Sequence, residues 1–114
     1  MNQVIKETLS ILIPIFNEEE NIPPLYDRLL AALKKIGRPY EVIFIDDGSS
    51  DGSLEILLDI SKENSNVKII SFSRNFGQTA ALSAGIDFSR GEILIPMDVT
   101  FRTIPKTFSL SLKR

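Results

Sequence analysis

Cysteine and histidine are both absent from this sequence. Their absence excludes disulfides, thiol nucleophiles, imidazole acid–base chemistry and the usual zinc ligands together. Missing too is any apolar run long enough to cross a bilayer. The opening MNQVIKETLS lacks the basic segment and apolar run of a secretion signal, so a cytoplasmic chain is expected. Residues 99–114, VTFRTIPKTFSLSLKR, carry four basic side chains, while the first 98 hold the other nine and all fifteen acidic ones. The formal charge of −2 leaves no basic excess for a nucleic-acid partner. What chemistry remains must use carboxylates, hydroxyls, amides and a bound cation.

What is present fits one soluble globular unit: 114 residues, 43% of them hydrophobic and 25% charged. Four apolar runs alternate with helix-like segments. LSILIPIF (Leu9–Phe16) is nearly continuous and rich in β-branched residues, as for a strand buried on both faces, and Pro14 marks its end. From Asn21, a candidate cap, the spacing of Ile22, Leu25, Leu29, Leu33 and Ile36 predicts a helix that stops at Gly37 and Pro39. YEVIFID (Tyr40–Asp46) reads as the second strand, and Leu54, Leu57, Leu58 and Ser61 trace the next helix. VKIISFS (Val67–Ser73) is the third strand. A helix with small residues Ala80, Ala81, Ala84 and Gly85 follows, able to lie close to a sheet, and EILIPMD is the fourth strand. Regular alternation of this kind predicts an α/β fold with right-handed crossovers on a mainly parallel sheet.

In such sheets ligands bind beyond the carboxyl ends of the strands. Pro14 to Glu18, Asp46 to Ser49, Ser73 to Asn75 and Asp98 all fall there. Each group has two readings. The turn in IDDGSSDGS can cap a helix, or it can present paired carboxylates to a base or ribose, with Gly48 letting the backbone approach a ligand. The glutamates of PIFNEEENI suit a helix dipole, or one of them with Phe16 holds a nucleobase. Arg74 and Asn75 are a solvated arginine and a cap, or polar groups beside a helix end that faces an anion. Asp98 is the sharpest candidate, because a carboxylate after ILIPM has little structural need to be acidic. Magnesium or manganese held by it and by diphosphate oxygens is the usual economy of such a site.

Together, SILIPIFNEEENI, YEVIFIDDGSSDGS and RNFGQTAALSAGIDFSRGEILIPMD resemble, in order and spacing, family 2 glycosyltransferases, and within them polyprenol-phosphate sugar transferases such as dolichol-phosphate mannosyltransferase. The likeness covers roughly residues 8–98. It implies the nucleotide-binding half of a GT-A fold, which moves a hexose from a GDP- or UDP-sugar to a lipid phosphate at the cytosolic membrane face. Carried over by position, Pro14, Phe16, Glu18, Ile45 and Asp47 would surround the nucleoside, and Asp46 would support them. Asp98 matches the first aspartate of the family's DxD metal motif, with Mg2+ or Mn2+ as the implied cofactor.

Two departures stand out. Thr100 occupies the second aspartate's place, which would weaken cation binding, and a whole GT-A domain needs about as much chain again for its acceptor half. One deleted base would account for both, given a suitable choice of synonymous codons. Codons for Ala-Asp-Leu-Gln-Asn-Asp-Pro, read one base out of frame, spell Val-Thr-Phe-Arg-Thr-Ile-Pro, the text of residues 99–105. The expectation is therefore a nucleotide-sugar-binding half-domain over residues 1–98 and a frameshifted tail over 99–114, inactive in transfer by itself, with apolar surface left uncovered. The rival is a nucleotide- or partner-binding module without catalysis. A receiver-like signalling domain is disfavoured, since no lysine stands near the final strand.

Overall fold

A computed structural model of the chain describes residues 7–99. Four strands, β1 (Leu9–Ile15), β2 (Tyr40–Asp46), β3 (Val67–Ser71) and β4 (Ile93–Pro96), form one sheet in the order β3-β2-β1-β4. Every pairing is parallel, with Leu9 opposite both Tyr40 and Ile93, and Val42 opposite Val67. Helix α1 (Ile22–Ile36) links β1 to β2, α2 (Ser53–Glu63) links β2 to β3, and α3 (Gln78–Phe88) links β3 to β4. The α/β expectation and its parallel sheet are thus borne out.

The strand order follows from the handedness of the crossovers. Steps from β1 to β2 to β3 run in one direction and place α1 and α2 on one face; the return step to β4 reverses direction and places α3 on the other. Two cores result. Ile11, Ile13, Phe44 and Val42 pack under Ile22, Leu25, Leu29, Leu33 and Leu57, whereas Leu12, Ile43, Ile45 and Leu94 pack under Ala81 and Leu82. Residues of β1 and β2 alternate between the two, which is why both strands read as continuous apolar runs. Gly85 lets α3 sit close, since a Cβ there would stand 3.0 Å from Ile45 Cδ1.

Local details depart from expectation. Ile36 is exposed, one turn beyond the last buried position of α1, and Gly37 closes that helix at φ 72° with its N–H on the Leu33 carbonyl. Asn21 makes no side-chain cap bond; its Nδ2 donates to Glu18 Oε1 instead. On α2 the inward face is Ser53, Ile56, Leu57 and Ile60, and Leu58 points outward. The stripe of leucines carries as many aliphatic side chains, but the sheet meets the face that holds the two isoleucines. Pro14 sits where an N–H would have faced β4, and the β1–β4 ladder ends at Leu12 opposite Pro96. Val99, first residue of the unusual tail, is buried against the α1–α2 core; the rest of the tail lies outside the described residues. Ile86 and Phe88 are exposed on α3.

Candidate functional site

The chain reverses its direction across the sheet between β3 and β4, so that α1 and α3 lie on opposite faces, and a crevice opens at the carboxyl edge beside β1. The cavity there measures about 370 Å3, within the ordinary range for small-ligand sites. It is lined from β1 by Pro14, Ile15, Phe16 and Glu18, from β2 by Asp47, from the β3–α3 loop by Asn75, Gly77 and Gln78, and from β4 by Asp98 and Val99. Of the expected site residues, Pro14, Phe16, Glu18, Asp47 and Asp98 therefore meet at one place.

Ile45 and Asp46 do not reach it. Ile45 is wholly buried between β1 and α3, so its place beside the nucleoside is corrected to a place in the core. Asp46 points toward the opposite face, 2% exposed, and its Oδ1 has no hydrogen-bond partner. Its contribution in the backbone is clear: the Asp46 carbonyl accepts the Phe72 N–H at 2.9 Å and so sets the course of the chain after β3. Thr100 lies outside the described residues.

The walls of the crevice are tied together by side chains whose sequence positions gave no hint of contact. Asn17, at φ 53°, accepts the Ser50 N–H at 2.7 Å through Oδ1 while its own N–H donates to Ser49 Oγ at 2.9 Å. Glu18 N–H donates to Ser53 Oγ at 2.9 Å, and Glu19 Oε1 accepts the Gly52 N–H at 2.7 Å. The acidic run after β1 thus fastens that loop to the DGSSDGS turn, and none of its members stands in the first turn of α1. Asp51 joins in by accepting the Glu19 N–H, and the Ser53 hydroxyl and N–H beside it hold its carboxyl below the usual range.

Asp47 anchors the third wall. It is 3% exposed, and its carboxylate accepts the Phe76 N–H at 2.8 Å, the Gly77 N–H at 3.0 Å and the Asn75 amide at 3.0 Å. Gly48 adopts φ 77°, and a Cβ there would stand 2.5 Å from the Asn75 nitrogen. The close approach that this glycine permits is to the chain's own Arg74–Asn75 backbone. Around the loop, Phe72 and Phe76 meet edge to face at 5.5 Å, and the Arg74 guanidinium lies 4.9 Å from the Phe76 ring. Asn75 was expected at this edge as a cap or an anion-facing polar group, whereas Gly77 and Gln78 were missing from the expected site. The only signal in the sequence was the RN pair before a helix, which a capping role explains equally well.

Exposed Phe16 and half-buried Asp98 both line the crevice. Among the described residues no group of three carboxylates is close enough to form a metal site by itself. A divalent ion here would need ligand oxygens from a bound phosphate, a common arrangement for magnesium. Asp98, a residue with a hard oxygen donor on the lining of a cavity with room for such oxygens, fits that requirement.

Comparison with known proteins agrees with this geometry. The Glycosyl transferase family 2 profile matches residues 10–99. An uncharacterized glycosyltransferase of Synechocystis sp. is 45% identical over 98 residues, covering 86% of this chain and 31% of the relative. An undecaprenyl-phosphate 4-deoxy-4-formamido-L-arabinose transferase of Pectobacterium atrosepticum is 38% identical over 101 residues, covering 88% and 31%. Among solved structures, a mannosyltransferase from Pyrobaculum calidifontis in complex with GDP-Man and Mn2+ shares the fold at TM-score 0.67 and 20% identity, covering 82% of this chain and 28% of that one. TarS from S. aureus in complex with UDP-GlcNAc superposes at TM-score 0.66 and 26% identity, covering 81% and 26%. The chain spans about 31% of the length of the curated relatives it matches.

Proposed function

Because the chain belongs to glycosyl transferase family 2, we propose that its crevice binds the nucleoside diphosphate of a sugar donor, in the service of hexosyl transfer to a polyprenol phosphate. The observation that carries this reading is the meeting of Phe16, Asp47 and Asp98 in one cavity at the switch point of the sheet. Phe16 stacks on the base, Asp47 accepts a base N–H, and Pro14 and Glu18 shape the wall between them. Asp98 faces the diphosphate and is the described residue that would hold Mg2+ or Mn2+. When bound, such an ion supplies neutralisation of charge on the departing diphosphate.

The acceptor side of the reaction belongs to the two thirds of the relatives that this chain does not span. Positioning of two reactants is worth many powers of ten in rate, so the 114 residues bind donor nucleotide without transferring sugar. Nucleotide binding without catalysis is also the second reading, and the same 31% coverage favours it. In a full-length parent the site works at the cytosolic face of a membrane, where a lipid phosphate is reached. Residues 1–98 are then the nucleotide-binding half, and residues 99–114 the product of a shifted reading frame. Resequencing the DNA across codons 90–114 tests that point: a restored frame reading Ala-Asp-Leu-Gln after Asp98 supports it, and an unaltered sequence sinks it.

Titration calorimetry with UDP and GDP, each with Mn2+ and with a chelator, tests the site. Binding of at least one nucleotide, strengthened by Mn2+, is expected. Asp98→Asn should lose about tenfold or more of the affinity measured with Mn2+, the scale of one charge-assisted contact, and little of that measured with chelator. Equal losses in both conditions would remove Asp98 from the metal role.

A further inference from the structure

Asp47 has fewer free acceptor positions than a carboxylate usually offers. Ionised, it presents two oxygens with about four lone-pair sites in all. Oδ2 accepts both the Gly77 N–H and the Asn75 amide, at 3.0 Å each, and Oδ1 accepts the Phe76 N–H at 2.8 Å. One site remains, on Oδ1, in a residue that lines the cavity. Asn75 fixes that count. Its Nδ2 donates to Asp47 Oδ2 and also to the Asp47 backbone carbonyl at 3.2 Å, so the two side chains are held in register.

From this we propose that Asn75, acting through Asp47, makes the crevice select uracil over guanine. The inference rests on the nucleotide-binding reading above and sharpens it. Uracil presents a single imide N–H between two carbonyls, which matches one open acceptor site. Guanine presents two adjacent donors, N1–H and the exocyclic amine, and a carboxylate meets both only with one open site on each oxygen. With Oδ2 filled, a guanine docked on Oδ1 leaves a buried donor without a partner, and an unpaired polar group is penalised more than a missing bond. Adenine and cytosine place a ring acceptor against the carboxylate and are excluded by repulsion. The donor class is then a uridine diphosphate sugar. Asn75 is a positioning residue here, since it sets the acceptor count of Asp47.

The test is calorimetric titration of the whole 114-residue chain with UDP, GDP, CDP and ADP at fixed Mn2+. UDP is expected to bind about tenfold or more tightly than GDP, with CDP and ADP weaker still. GDP equal to or tighter than UDP overturns the inference and leaves the nucleotide-binding reading intact; binding of none of the four overturns both. Asn75→Ala opens a second site on Oδ2 and should bring the UDP-to-GDP ratio toward one. Circular dichroism checks that this variant is folded. Parallel loss of both affinities at an unchanged ratio would make Asn75 a structural loop residue and sink the proposal. Should the alanine variant not fold, the ratio among the four nucleotides on the unaltered chain decides.

Discussion

Gly48→Ala is expected to lower stability by about 2–4 kcal/mol and to abolish nucleotide binding to the crevice. Two separate costs act at this residue. At φ 77° an L side chain is strained, and a Cβ would also overlap the Arg74 and Asn75 backbone. The loop can escape only by moving off the end of β2, which breaks the three hydrogen bonds that the Asp47 carboxylate accepts from residues 75–77. Gly37→Ala is the control. Gly37 has a similar φ of 72°, but nothing stands within 4 Å of its would-be Cβ, so only the conformational part, about 1 kcal/mol, should appear. Urea unfolding midpoints for the two variants, with a UDP titration of each, separate strain from displacement. A Gly48→Ala protein as stable as Gly37→Ala would mean that the loop is free to shift.

The second large effect lies at the other end of the sheet. Glu41 is 5% exposed and accepts the Ser10 hydroxyl at 2.6 Å, the Arg90 N–H at 2.6 Å and the Lys68 ammonium at 2.8 Å. Ser10 in turn accepts the Gly91 N–H at 2.9 Å. One carboxylate therefore ties β1, β2, β3 and the approach to β4 at their amino ends. Removing it in Glu41→Ala leaves buried donors unpaired and should cost about 3–5 kcal/mol. The lower end of that range is the better expectation, because Lys68 is partly exposed and its share is screened.

Burial by itself would raise the Glu41 pKa, but the Arg90 N–H, the Lys68 ammonium and the Ser10 hydroxyl outweigh it and hold the carboxyl below its usual value. A folded-state pKa below the unfolded one gives stability that is fully present above about pH 4.3, the ordinary glutamate value, and is lost as pH falls through the folded pKa. Unfolding midpoints between pH 3 and 7 should decline at the acid end for the natural chain, and less steeply for Glu41→Gln. Identical acid slopes in the two proteins would show that other carboxylates govern the decline.

The strands were legible because β1 and β2 are covered on both faces, and burial on both faces writes an unbroken apolar run into the text. Parallel order and the position of the crevice followed from alternation and handedness alone. Helix faces were legible only where one stripe dominates: α1 has a single apolar side, whereas on α2 Leu54 and Leu58 compete with Ile56 and Ile60, and packing against β3 decides. Each group at this edge had a structural and a ligand-binding reading, and internal scaffolding lies beside the residues that line the crevice. Asn17, Glu19 and Ser53 hydrogen-bond to neighbouring loops, and Asp47 gives three of its carboxylate acceptor sites to residues 75–77. Those pairings join positions some thirty residues apart, and nothing local in the sequence encodes them. Ile45 was placed beside the nucleoside by its position in the family motif alone; its side chain is buried in the core beneath α3.

The strand order also fixes a sequence of events during synthesis. β1, β2 and β3 with α1 and α2 enclose one core from contiguous chain, so that layer can form as soon as Ser71 is free of the ribosome. β4 must then return across the whole described chain to pair with β1, the contact with the largest loop-closure cost. Since Asp98 and Val99 form the last wall of the crevice, no binding site exists until that final strand has docked. A nascent chain halted before β4 would hold a formed layer and an open edge on β1, which makes this interval the one in which pairing with a foreign strand competes with completion.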